Sequence, residues 1–124
     1  MSHHGIPVPH IPNPMLPDVG VAHTLVNGQP VIQMNPAVLM KLPPVVQQFW
    51  FAHECAHHAL APFMNSEVNA DCWAIRALRH TGVVQGPADV QVLLASIAQL
   101  PGSMQGHLPG PARAQNLFYC VNTP

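Results

Sequence analysis

The sequence predicts one α+β domain, with a small β-hairpin or sheet packed on two central helices and closed by two further C-terminal helices. Three observations carry this. A length of 124 residues, 48% of them hydrophobic, suits a single modest core. Two short apolar runs flank Asn27-Gly28, the strongest short-range hairpin signal. The second half is divided by proline, glycine, Asn and Ser into stretches of helical length. Residues 1–18 carry Pro7, Pro9, Pro12, Pro14 and Pro17. They read as an extended N-terminal arm with no core of its own, mobile or lying across the domain. The domain proper is expected over residues 19–124.

The elements follow in order. Residues 21–26 and 31–34 are the hairpin strands. Asn35-Pro36 opens a short helix, Asn as cap and Pro in the first turn. Residues 44–60 form a helix that starts at Pro43-Pro44 and stops before Pro62. Asn65 or Ser66 caps the next, which runs to His80 or Thr81 with Gly82 ending it. Residues 87–100 form a third long helix, with Val90, Leu93, Leu94 and Ile97 on one face. Pro111 opens the last, ending near Cys120.

Charge is scarce: 7% of residues, with a formal net charge of −1. Lys41, Arg76, Arg79 and Arg113 are too few and too scattered to form the basic face a nucleic-acid binder needs. No apolar run approaches the length of a membrane span. No basic, then apolar leader marks a signal peptide; a chain from which one had been removed would be periplasmic or secreted, and otherwise cytoplasmic. Cys55, Cys72 and Cys120 contain no C-x-x-C pair. An odd count permits one intramolecular bridge, and spacing does not fix its members. Cys120 is the expected participant, because a terminal helix gains most from being tied down.

The few acids are concentrated beside histidines. His53-Glu54-Cys55-Ala56-His57 is an H-E-x-x-H motif. On an α-helix, positions i and i+4 differ by about 40° in azimuth, so His53 and His57 share a face and together can bind one zinc ion. Glu54 can then reach a water at that ion without itself being a ligand, as general base. Glu67 and Asp71 repeat the i, i+4 spacing on the following helix. Glu67 supplies the third protein ligand that a catalytic site wants. Asp71 accepts the free ring N–H of a zinc histidine; the opposite assignment, Asp71 as ligand, stays open. His58 sits about 100° off the ligand face. Trp50, Phe49, Phe51 and Trp73 are read as core around the site.

H-E-x-x-H followed by E-x-x-x-D resembles the gluzincin zinc metallopeptidases. An apolar strand ending in Asn35-Pro36 before the zinc helix, and the His107-x5-Arg113 pair after it, narrow the likeness. They resemble the HtpX and CAAX prenyl protease lineage without its membrane spans, and the single-domain minigluzincins. The resemblance spans roughly residues 30–115. It implies peptide-bond hydrolysis on a peptide or protein substrate, with His107 near the oxyanion and Arg113 packed against the acidic residues. Nine residues between His57 and Glu67 leave no room for a lid, His107-Leu108-Pro109 stands where the lineage has His-Pro, and Cys55 lies inside the motif. Residues 31–34 are expected at the cleft rim, where a peptide would pair by strand addition. The uncharged arm, or the tail after Cys120, would partly cover the metal. Two other functions remain open, a latent or inactive zinc-binding interaction module and a zinc hydrolase of a non-peptide amide.

Overall fold

The computed structural model describes residues 2–3, 6–99 and 109–121. Its architecture is α+β. Strands β1 (Ser2–His3) and β2 (Ile6–Pro7) form a small antiparallel pair. A second sheet has three strands, β3 (His10–Pro12), β4 (Gly20–Thr24) and β5 (Pro30–Met34), in the order β3-β5-β4. The hairpin forms where Asn-Gly placed it, with Gly20 opposite Met34 and Thr24 opposite Pro30. Gly28 N–H donates to the Leu25 carbonyl at 2.8 Å, and Leu25 N–H to that of Gln29 at 2.9 Å. Gly28 sits at φ 86°, a left-handed conformation that closes a three-residue hairpin loop and that a side chain would strain.

The arm lies along the domain, one of the two placements its sequence leaves open, and adds a strand to the sheet. Val8 is buried, and β3 pairs in parallel with β5, His10 opposite Ile32. Its prolines are tolerated because β3 is an edge strand. The Pro9 carbonyl accepts from Ile32 N–H at 3.0 Å, while Asn13 rather than a proline donates to the Met34 carbonyl at 2.8 Å. His10 stacks on Phe51 with centroids 4.7 Å apart. The strand at 31–34 is thus the central strand and not the rim, since both its edges are taken. Peptide addition there is closed, and residues 8–12 lie on the sheet edge away from β4.

Five helices follow among the described residues. α1 (Pro36–Leu39) is capped by Asn35, whose side chain accepts from Ala37 N–H at 3.1 Å. α2 (Pro44–Ala59) ends at Leu60, whose extended backbone leads into Pro62. After a 3₁₀ turn (Pro62–Met64) comes α3 (Glu67–His80). Ser66 caps it through Asn69 N–H at 3.1 Å, and Gly82 at φ 83° follows its end. α4 (Pro87–Ala98) and α5 (Gly110–Val121) complete the set. Among the described residues no helix is long and apolar enough to cross a membrane.

α2 runs through the middle. Val46, Phe49, Trp50 and Cys55 are buried with Ile32, Ile75, Leu93, Ile97 and Leu117 from the sheet and the other helices. α2 therefore serves two purposes, one face filling the core and another presenting the motif. Cys72 and Cys120 form a disulfide that ties α5 to α3 across 48 positions of sequence, which includes the cysteine expected to be bridged. Cys55 is a buried free thiol.

Candidate metal centre

α2 and α3 pack against each other and bring the two i, i+4 pairs face to face. His53 Nε2 and His57 Nε2 are 3.2 Å apart. Glu67 reaches across from α3, with Oε2 2.7 Å from His57 Nε2 and Oε1 3.6 Å from His53 Nε2. Two nitrogen ligands held at ordinary zinc distances with a tetrahedral angle between them lie about 3.3 Å apart. The spacing found therefore fits one shared ion. His53, Glu54 and His57 also offer ligand atoms all within 4.8 Å of one another, so this His–Glu–His group is close enough to hold a metal ion.

The partners of the ring Nδ1 atoms decide what the Nε2 atoms can do. His53 Nδ1 lies 2.7 Å from Asp71 Oδ1. Arg113 donates to both Asp71 oxygens, Nε to Oδ2 at 3.0 Å and Nη2 to Oδ1 at 2.9 Å. Burial opposes the Asp71 charge, but His53 and Arg113 outweigh it and hold this carboxyl below its ordinary range. It accepts, so His53 Nδ1 carries hydrogen. His57 Nδ1 lies 2.7 Å from Asn65 Oδ1, and the Asn65 amide is oriented by its NH₂ donating to the His57 carbonyl at 3.1 Å. His57 Nδ1 therefore carries hydrogen too. In their neutral forms both rings then turn Nε2 lone pairs into one gap beside a carboxylate, a place that suits a cation. Burial pushes the His53 pKa down, but Asp71, Glu67 and Glu54 together raise it above the ordinary histidine value.

The two walls differ. His53, Glu54, Asp71 and Arg113 are all buried. The Arg113 guanidinium lies 4.7 Å from the Trp50 ring centre and 6.0 Å from that of Phe49, so aromatic faces complete the surroundings of the charge that Asp71 balances. His57 and Glu67 keep 20% and 16% side-chain exposure. They open into a cleft of about 310 Å³ floored by Glu54 and edged by Val21, Ala22, His23 and Thr24 of β4.

The structure thus brings together His53, Glu54, His57, Glu67, Asp71 and Arg113. It places Asp71 on His53 and Arg113, which leaves Glu67 as the carboxylate facing both Nε2 atoms. His107 lies outside the described residues. Two contributors escaped sequence reasoning. The sequence offers Asn65 only as an alternative helix cap, whereas Ser66 caps and Asn65 clasps His57. His58 Nε2 donates to the Val31 carbonyl at 2.8 Å, pinning α2 to the central strand. An Asn in the connector eight residues past His57 was the available signal for the first. Compared with known proteins, the chain matches no family model, no curated protein and no solved structure.

Proposed function

We propose that this chain is a zinc-dependent metallopeptidase of the gluzincin type. The observation that carries the reading is the convergence of two Nε2 lone pairs and Glu67 on one gap, with Glu54 buried beside it in an open cleft. A purely structural site needs no buried base next to an accessible position, because it closes its coordination with protein ligands. His53, His57 and Glu67 would hold the ion, and imidazole with carboxylate is a donor set that suits zinc. Zinc, when bound, supplies a Lewis acid that polarises the scissile carbonyl and makes water acidic. Glu54 takes the proton from the attacking water and returns it to the leaving amine. Asp71 and Asn65 hold the two imidazoles in the tautomers that expose Nε2. By the resemblance, His107 is assigned to the oxyanion.

The open strand favours an extended peptide over a compact amide. β4 pairs only with β5 among the described residues. The bonds Leu25 N–H to Gln29 and Asn35 N–H to Val19 set the alternation, so Val21 and His23 spend their backbone groups on β5. Ala22, in between, turns its N–H and carbonyl outward along the cleft. A substrate strand would pair there, one strand over from the position the sequence suggested.

Zinc-loaded protein should cut members of a quenched fluorescent peptide library, and Glu54→Gln should cut them at least about a hundredfold more slowly with zinc content unchanged. Absence of cleavage by the zinc-loaded wild type, or equal rates in Glu54→Gln, would overturn the reading.

A further inference from the structure

A second cavity adjoins the cleft. It has a volume of about 590 Å³ and shares Thr24, His57, His58 and Asn65 with the site already described. Its remaining wall comes from two places that the chain brings together. One is the hairpin loop with Gly28 and Pro30; the other is the exit of α2, residues 59–62. These contribute Pro30, Ala59, Leu60, Ala61 and Pro62, and among the described residues no Asp, Glu, Lys or Arg lines the space. The connector from His57 to Glu67 is too short to fold over the opening, so the wall stays low: Ala59, Ala61 and Pro62 are exposed and Leu60 half-buried.

The register fixes where this cavity falls along a substrate. Ala22 offers the outward backbone pair, and Thr24, two residues further along β4, is shared by cleft and cavity. Residues two apart on a strand are about 6.6–6.8 Å apart and put side chains on the same face. A peptide strand on β4 with its carbonyl over the Nε2 atoms therefore sends a side chain from the Thr24 side of the scissile bond into the cavity. Away from the His57 and His58 side that it shares with the cleft, the wall offers a carboxylate or ammonium only proline, alanine and leucine in place of water. An aliphatic or aromatic side chain instead removes its own apolar surface and that of the wall from water.

We propose that the space between the hairpin loop and the exit of α2 is a specificity subsite for a bulky uncharged side chain flanking the scissile bond, so that the substrate class is extended peptide with an apolar residue on the Thr24 side. The proposal rests on the peptidase reading for its context and on the cavity for its content.

Peptidyl hydroxamates test it without requiring turnover. Two series on zinc-loaded protein carry Leu, Phe, Ala, Asp or Lys, either on the amino side of the hydroxamate or on its carboxyl side, and calorimetry reads each Kd. In one series Leu and Phe should bind at least about tenfold tighter than Asp and Lys. Ala61→Glu, an exposed substitution on the cavity wall, should reverse that order in the same series by tightening Lys, and leave the other series unchanged. Equal binding of all side chains in both series, failure of zinc-loaded protein to bind either, or no response to Ala61→Glu would overturn the subsite. Peptide cleavage with no side-chain preference would overturn the subsite and leave the peptidase reading standing. The expected hydroxamate preference without any peptide cleavage would do the reverse.

Discussion

The two histidines of one helical turn are supported in opposite ways. His53 is sealed behind a charged chain, Asp71 then Arg113, roofed by Trp50 and stapled at the far end by the Cys72–Cys120 disulfide. His57 is half-open to the cleft and held by a neutral amide, Asn65, from a short surface connector. The inner wall buries ionic groups whose desolvation must be balanced by one another. The outer wall buries little and costs little. Support on the inner side is therefore coupled to the stability of the whole domain, while support on the outer side is coupled mainly to the geometry of the gap between the two Nε2 atoms.

Removing the end of the inner chain should have the largest effect. Arg113→Ala leaves Asp71 buried with its bidentate partner gone, and breaking such a pair from one side typically costs about 3–5 kcal/mol. Urea unfolding of the metal-free variant should show a loss of that order, and weaker zinc retention besides. A loss under about 1 kcal/mol would mean that the inner wall is no more structural than the outer one.

Asn65→Ala is the matching change outside. Asn65 is exposed and its bonds are all local, so metal-free stability should move by no more than about 0.5 kcal/mol. Zinc affinity, read by competition with a chromophoric chelator, should fall about 10–100-fold, because the His57 ring loses what fixes its tautomer. Asn65→Asp restores an acceptor and should recover most of it. If Asn65→Ala unfolds the protein as readily as Arg113→Ala does, the contrast between the walls collapses.

How much of this the sequence disclosed depends on the range of the interaction. His53 with His57, and Glu67 with Asp71, are pairs within a helix, and helical periodicity alone puts each on one face. Hairpin, caps and helix ends were legible for the same reason. Which carboxylate faces the two Nε2 atoms depends on how α2 and α3 dock, a tertiary packing with no sequence period, and the docking turns Glu67 toward them and Asp71 toward Arg113. The sheet order was the clearest miss. Parallel pairing of the arm with β5 joins residues about 22 apart, and the prolines of the arm indicate only an extended segment, mobile or lying across the domain, although an edge strand accepts them. That one pairing moved the open edge from β5 to β4. Asn65 was hidden because its role follows from the path of the connector and from a ring orientation, neither of which has a sequence period.

The smallest effect concerns pH, where the two walls should pull the metal-free and metal-loaded protein in opposite directions. His53 has its pKa raised in the folded metal-free protein. The protonated ring then contributes stability in full below the unfolded histidine value, about 6.5, and that contribution is lost as pH rises through the higher folded value. Asp71 is shifted down; its contribution is present above the ordinary carboxylate range and is lost only as pH falls below it, so it stays constant near neutrality. Metal-free protein should therefore become less stable as pH rises above the ordinary histidine value, with a slope that for one proton does not exceed about 1.4 kcal/mol per pH unit. Zinc needs the neutral ring and releases that same proton, so its binding, and with it the stability of the loaded form, should strengthen over the same interval. Thermal melts of both forms across this range measure the two slopes. Slopes of the same sign would show that the proton on His53 and the metal do not compete for the gap between the two Nε2 atoms, and His53 would then have to be removed from the ligand set.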